Sequence, residues 1–189
     1  MVNNENEKRI FDSIPNNIKQ TTITKLVGNI TIVRVDPERV VKLIQTLQEK
    51  GLTQIRYKNG ARKLDFELAR KYAQTANDIL GYTIGQLNHL QIPIISASNW
   101  GSTVTGFVAP ESDVEVLFDL VNVQDLHTAG QALRHDRTFQ NNLWNRQTPI
   151  KIPSVTFSLA VPSIYEQQPG EKWIPSANDT ITLKRPWLK

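Results

Sequence analysis

The sequence predicts an α+β fold in which helices pack against a mixed β-sheet. Short runs rich in Val, Ile and Thr alternate with amphipathic helical stripes, in the order β-α-β-β-α-β-β-α-β-β. Turn signals at Gly28-Asn29 and Asn59-Gly60 separate short strands, which is typical of antiparallel neighbours. Hydrophobic residues fill 39% of the 189 positions, an ordinary content for a globular chain with one sizeable core.

The first half of the chain contains strands and helices in alternation. Residues 21–36 alternate in polarity and predict one strand, or two strands broken at the internal glycine. Asp36 is a good N-cap and Pro37 suits the first helical turn, so a helix is expected to follow and to end at Gly51. The remaining elements of this half are a hairpin within 53–66 and a helix over 65–90.

The second half continues the same alternation. Its predicted elements are strands at 92–98 and 114–123, a helix at 124–145, a strand at 149–165 and a last strand at 180–187. Prolines interrupt the 149–165 run, and proline cannot donate a ladder hydrogen bond. We therefore expect that strand near a sheet edge or a bulge.

Three segments are predicted along the chain. Residues 1–20 are polar and predict a flexible N-terminal arm. Residues 21–64 form a β-α-β segment with a basic hairpin, and residues 65–189 form the main core. We expect 21–189 to be one compact unit.

Composition narrows the class of protein and of partner. The chain has 22 Lys and Arg residues against 18 Asp and Glu, and this formal net charge of +4 permits a polyanionic partner without requiring one. No apolar run approaches the roughly 18 residues of a membrane span, so no membrane partner is expected. The lack of cysteine excludes disulfides, thiolate metal sites and cysteine nucleophiles, and it fits a reducing, cytoplasmic compartment.

Two acids in the predicted strand at 114–123 and the residue before it suggest a metal site. Asp113 and Glu115 alternate with valines, so both point to one face, roughly 6.5–7 Å apart along the backbone. Neighbouring carboxylates repel each other unless a cation lies between them. Mg²⁺, or Mn²⁺, is the expected cation because it takes carboxylate oxygens and keeps positions for water and phosphate.

A glycine-serine pair upstream of these acids suggests a phosphate site. Gly101 allows the backbone to approach a phosphate closely, and the Ser102 hydroxyl can donate a hydrogen bond. Gly106 allows a second close approach. Together with the two acids, this arrangement predicts a phosphate-and-metal cleft; a turn followed by a half-buried strand is the simpler alternative.

The arrangement of strand, Gly101-Ser102, about ten residues and acid–apolar–acid resembles the signature of the nucleotidyltransferase superfamily, which includes DNA polymerase beta, poly(A) polymerases and the minimal nucleotidyltransferases. Gly106, Ser112 and Asp113 also match residues frequent in that family. The resemblance covers 65–120, including a helix before the Gly-Ser strand.

The resemblance implies a nucleotide-binding transferase that moves a nucleotide from a triphosphate such as ATP to an unidentified acceptor. Asp113 and Glu115 would be the catalytic, metal-binding acids, and Gly101, Ser102 and Gly106 would bind the phosphates. The family has a third acid on a neighbouring strand, where this chain has Ser158. Two acids could suffice, an acid from a loop could substitute, or catalysis could be lost.

Two other functions stay open from the sequence. One is a non-catalytic subunit of the same fold, with a protein partner supplying the acceptor surface; the other is a structural, coat-like protein. A basic cluster around the hairpin turn suggests a nucleic-acid contact, although a solvated tip is the simpler interpretation. The cluster consists of Arg56, Lys58, Arg62 and Lys63. For Trp100, core packing is favoured over stacking on a base.

Overall fold

A computed structural model describes residues 5–57, 60–146, 148–162 and 177–186. Its helices are α1 (Glu5–Asp12), α2 (Asn16–Lys19), α3 (Pro37–Glu49), α4 (Phe66–His89), α5 (Ser102–Thr105), α6 (Val123–His135) and α7 (Arg137–Asn145). Its strands are β1 (Thr22–Val27), β2 (Ile30–Val35), β3 (Gln54–Tyr57), β4 (Gly60–Lys63), β5 (Ile94–Trp100), β6 (Val114–Leu120), β7 (Ser154–Val161) and β8 (Ala177–Lys184).

Six strands form one mixed sheet in the order β1-β2-β5-β6-β7-β8, and β3 and β4 form a separate hairpin. The β2–β5 and β6–β7 pairs are parallel, and the other neighbours are antiparallel. Parallel neighbours need a crossover connection, which α6 and α7 provide between β6 and β7. The prediction of an α+β fold with a mixed sheet is confirmed.

The two faces of the sheet differ in burial. On β6, Val114, Val116 and Phe118 are buried in the core with residues of the helices. Glu115 and Asp119 alternate with them and are only half-buried. This alternation follows from the period of two in a strand, so one face of β6 supplies the core while the other presents its acids.

The segment at 21–64 shares the sheet and the core with the rest of the chain. β2 pairs with β5 in parallel, with Thr31 opposite Ser96 and Val33 opposite Ser98. Gly28 has a φ of +60° and turns β1 into β2, so the alternative of two strands over 21–36 is the observed one. Asn59, predicted in the hairpin turn, lies outside the described residues.

The N-terminal segment differs from the predicted flexible arm. Residues 5–19 form α1 and α2, and Ile14 is only 2% exposed within the core. Ile10, Phe11 and Ile18 pack against the same core. Their helical spacing gives a short apolar stripe that the polar composition of residues 1–20 conceals.

Asp136 divides the predicted helix at 124–145 into α6 and α7. Its carboxylate accepts hydrogen bonds from the backbone N–H of Phe139, at 2.9 Å, and from the Gln86 side chain, at 3.0 Å. The side chain therefore caps a new helix instead of continuing the first.

The predicted strand at 149–165 shortens to β7, and the last strand begins earlier than predicted, at Ala177. Its predicted end at 187 and the end of the 149–165 run lie outside the described residues. Among the helices of the described ranges, none is long and apolar enough to cross a membrane.

Ile14→Ala is expected to reduce the free energy of unfolding by about 2–5 kcal/mol, because it removes a buried side chain from the core. Val27→Ala is the control: Val27 is 55% exposed on β1, and its truncation is expected to cost less than about 1 kcal/mol. Chemical denaturation measures both. Equal, small effects of the two substitutions would mean that the N-terminal helices do not dock.

Candidate active site

The antiparallel pairing of β5 and β6 brings the Gly-Ser turn and the acids together. Trp100, the last residue of β5, lies opposite Glu115 in this pairing. Gly101 then turns the chain with a φ of +69°, and α5 begins at Ser102, as the phosphate-site hypothesis requires. The turn therefore lies beside the first residues of β6.

Gly101 has two separate reasons to be glycine. Its positive φ strains any residue with a side chain. In addition, a Cβ atom at this position would overlap the Glu115 carboxylate and come within 2.8 Å of its Cδ. The carboxylate thus occupies the space directly over the Gly101 backbone, so the predicted phosphate turn and the predicted metal ligand are in contact.

Gly106 is glycine because of the core. Its φ is +75°, and an added Cβ would come within 2.6 Å of Val40 Cγ1 and 3.3 Å of Ile44 on α3. The contacts that require glycine here are thus with α3. They account for Gly106 without a phosphate, although the sequence suggested one.

The electrostatics link the two acids. The pKa of Glu115 is raised above its ordinary value, first by burial and second by the negative charge of Asp113. Burial disfavours the charged carboxylate, and so does a like charge nearby. A divalent cation between the two side chains would relieve both effects, so this donor set fits a hard cation whose other ligands are water or phosphate oxygens.

Tyr72 fixes the turn before Asp113. Its hydroxyl, on α4, donates to the backbone carbonyls of Ser112, at 2.8 Å, and Pro110, at 3.1 Å. Burial, followed by the charges of Glu111 and Asp113, raises the pKa of Tyr72 to about 12, so the hydroxyl keeps its proton and stays a donor. In the sequence Tyr72 is one more member of the helical stripe, and only the polar tip of tyrosine hints at this contact.

Thr156 on β7, rather than Ser158, lies opposite Glu115. The parallel β6–β7 register pairs Glu115 with Thr156 and Leu117 with Ser158. The Thr156 hydroxyl donates to Asp113 Oδ2 at 3.3 Å. The position facing the two acids from the neighbouring strand is therefore a threonine, which the sequence did not single out.

A third acid does not join this pair in the described part of the chain. There, no group of three or more His, Asp or Glu side chains is arranged to hold a metal. Asp119 hydrogen-bonds to Ser96 further along the face, and Asp179 forms an ion pair with Arg134 at 2.5 Å. The sequence also allows an acid from a loop, such as Glu166, but that residue lies outside the described residues. The candidate donor set is thus Asp113 and Glu115, with Thr156 as their polar neighbour.

The hairpin of β3 and β4 divides the basic cluster between two faces. Arg56 pairs with Ala61 and Arg62 pairs with the buried Ile55, so the two arginines point to opposite sides. Arg62 donates to the Phe107 carbonyl at 3.0 Å, while Lys63 is exposed on the face of Arg56. Lys58 lies outside the described residues. The described members of the cluster therefore lie on two faces of the hairpin, and a nucleic-acid contact stays a prediction.

The core-packing interpretation of Trp100 is wrong. Its side chain is 63% exposed and lines a cavity of about 900 Å³ beside Gly101 and Ser102. The sequence gives no signal for this exposure, because an aromatic residue at the end of a strand is compatible with either environment.

Comparison of the chain with protein-family models, curated proteins and solved structures finds no match.

Glu115→Gln is expected to stabilise the protein near neutral pH and to flatten its pH dependence. Because the folded-state pKa of Glu115 lies above its ordinary value of 4.5, the folded protein binds this proton more tightly than the unfolded chain. The stability linked to the proton is full below about pH 4.5 and is lost as the pH rises through the folded-state pKa. Denaturation of both proteins across this range measures the difference.

Glu111→Gln is the control, since it removes an exposed carboxylate close to the same turn. If Glu115→Gln changed the pH slope above pH 4.5 no more than this control does, the buried, repelled state of Glu115 would be contradicted.

Proposed function

We propose that this chain is a nucleotidyltransferase-fold protein that transfers a nucleotide from a triphosphate such as ATP to a hydroxyl-bearing acceptor, with Mg²⁺ or Mn²⁺ held by Asp113 and Glu115. The observation that carries the proposal is the contact between the Glu115 carboxylate and the backbone of Gly101. One triphosphate-cation unit can span two groups that are this close, so the Gly-Ser turn and the acids can serve one ligand.

The topology around this contact supports the same proposal. Helix α4 precedes β5, which carries the Gly-Ser turn at its end, and β6 carries the acids antiparallel to it. A helical crossover then returns to β7, the parallel neighbour of β6. This is the order of elements that the resemblance implies: a helix, the Gly-Ser strand, the acid strand and a third strand after a helix.

In the proposed reaction the acceptor hydroxyl gives its proton to solvent water and its oxygen bonds to the α-phosphorus. The bond from the α-phosphorus to the oxygen bridging it to the β-phosphorus breaks, and pyrophosphate leaves. The bound cation would neutralise phosphate charge and favour deprotonation of the acceptor. Asp113 and Glu115 would hold that cation, which would lie between the Glu115 carboxylate over Gly101 and the phosphates at the Gly101-Ser102 turn. Thr156 orients Asp113 through its hydroxyl. The raised pKa of Glu115 means that cation and proton compete for its carboxylate.

A non-catalytic, nucleotide-binding subunit is the second candidate function. It is favoured by Thr156 and Ser158, the residues of β7 beside the acid strand, neither of which is a carboxylate. A binding site needs only that the phosphates and the cation be held, whereas transfer also needs the acceptor oxygen to be activated. The contact between Glu115 and Gly101 counts against a purely structural, coat-like role. A cytoplasmic location and a protein partner for the acceptor stay predictions from the sequence.

Asp113→Ala and Glu115→Ala are each expected to weaken Mg²⁺-dependent binding of ATP by about tenfold or more, because each removes one of two charged cation ligands. Calorimetry with and without Mg²⁺ measures this. Asp119→Asn is the matched control: it changes an acid of the same strand and face, which hydrogen-bonds to Ser96 instead. ATP binding that neither alanine variant changes would rule out the proposed site.

Thr156→Asp is expected to tighten Mn²⁺ binding in the presence of ATP by about tenfold, or about 1.4 kcal/mol. The new carboxylate would lie opposite Glu115, and without a cation it should destabilise the fold by added repulsion. Ser158→Asp is the matched control, since it adds the same charge opposite Leu117 instead. Equal gains from the two variants, or a gain from Ser158→Asp alone, would contradict the importance of the Thr156 position.

A further inference from the structure

Elements that precede the nucleotidyltransferase-like part of the chain complete the cavity beside the Gly-Ser turn. Its volume is about 900 Å³, at the upper end of the range for small-molecule sites. Thr22 of β1, Val33 of β2 and Ser98 of β5 line it from the sheet. Helix α1 contributes Lys8 and Phe11, so the N-terminal helices complete a concave site.

Trp100 offers an aromatic surface to this cavity. Among the large hydrophobic side chains that the described ranges leave exposed, it is the aromatic one. It directly precedes Gly101, so a group stacked on its ring would be next to the backbone proposed to hold phosphates. An indole ring is a good platform for a planar heterocycle, and stacking of a nucleobase on an aromatic side chain is sequence-tolerant and strong.

Phe11 and Phe107 form a second, rigid part of the lining. Their rings meet edge to face with centroids 6.1 Å apart. Lys19 Nζ lies 5.1 Å from the centre of the Phe11 ring, and the Phe107 carbonyl accepts a hydrogen bond from Arg62. These contacts hold the apolar lining in place before any ligand enters, which reduces the entropic cost of binding.

The charges and hydroxyls of the lining suggest a ligand that is anionic as well as aromatic. Lys8 and Arg62 both line the cavity, and so do Ser98 and Ser102. Lys8 is exposed on α1 and brings a positive charge to this lining, while Arg62 holds the Phe107 carbonyl. A nucleotide matches both parts, because it combines a planar base with a sugar hydroxyl and phosphate.

We propose that this cavity binds the base of a nucleotide, stacked against Trp100, with the positive charge of Lys8 attracting the anionic ligand. The inference rests on the proposed function, since the same ligand would extend its phosphates to Gly101 and Ser102. It assigns the N-terminal elements a task in substrate binding, because Lys8, Phe11, Thr22 and Val33 complete the pocket around Trp100.

Binding of three probes tests the proposal: ATP with Mg²⁺, inorganic tripolyphosphate with Mg²⁺, and AMP without a divalent cation. The wild type is expected to bind ATP about tenfold or more tightly than tripolyphosphate, because only ATP has a base. Trp100→Ala should abolish this difference and weaken AMP binding similarly, while leaving tripolyphosphate binding unchanged. Trp100→Phe should retain most of the affinity for ATP.

Lys8→Ala provides a second, independent variant, and Arg9→Ala is its control. Lys8 lines the cavity, whereas Arg9, its neighbour on α1, lines a different depression with Ile10 and Lys50. Lys8→Ala is expected to weaken AMP binding several-fold and to reduce its salt dependence. Arg9→Ala should do neither. Both side chains are exposed, so neither substitution should disturb folding.

The outcomes separate this inference from the proposed function. If the acid variants leave ATP binding unchanged but Trp100→Ala still weakens AMP binding, the base pocket stands and the metal site fails. If tripolyphosphate binds as tightly as ATP, or Trp100→Ala binds both like the wild type, the base pocket is overturned. A dinucleotide with a free 3′-hydroxyl distinguishes whether the bound base belongs to the donor or to the acceptor. If the dinucleotide competes with ATP, the pocket binds the base of the donor. If the two bind together and Trp100→Ala abolishes this joint binding, the pocket binds the base of the acceptor.

Discussion

The register between β5 and β6 is the constraint on which the candidate site depends. It places Trp100 opposite Glu115, so the Gly101 turn and the acids meet at one end of the pair. A slip by one residue would turn Glu115 toward the core and Val114 toward solvent. The register is therefore enforced by the burial of Val114, Val116 and Phe118, which have no part in the site itself. The hydrophobic core thus sets the geometry of the polar cleft.

The electrostatics of the cleft are locally unfavourable to the folded state that the core stabilises. Its half-buried Glu115 is held against a glycine and beside a second carboxylate, and its raised pKa expresses both effects. The surrounding structure offsets the cost, since the buried Tyr72 hydroxyl ties α4 to the turn before Asp113. Local unfavourable electrostatics supported by a rigid frame is typical of functional sites. A solvated surface strand would have no reason to keep its carboxylate in this position.

Local patterns in the sequence predicted the helices and strands, and they predicted that the Gly-Ser turn and the acids Asp113 and Glu115 belong to one site. The helical stripes, the N-cap at Asp36 and the alternation in β6 depend on neighbouring residues, so they can be read from the sequence. The position facing the acids could not be predicted. It depends on the register between β6 and β7, which are separated in the chain by a long helical crossover. A shift of this register by two residues would place Ser158 opposite Glu115 instead of Thr156. The docking of α1 and the exposure of Trp100 depend in the same way on long-range packing.

The contacts that dock the N-terminal helix also shape the cavity. Glu7, buried in α1, accepts a hydrogen bond from the Arg56 backbone at 3.1 Å, so α1 is fixed to the β3–β4 hairpin. That hairpin carries Arg62, whose hydrogen bond to Phe107 holds the opposite lining. A ligand between these groups would bind only when α1 is docked. The free energy of its binding would therefore stabilise the docked state of α1 relative to the undocked state. If the proposed base pocket is occupied in this way, its occupancy and the docking of the N-terminal helix would be one coupled equilibrium.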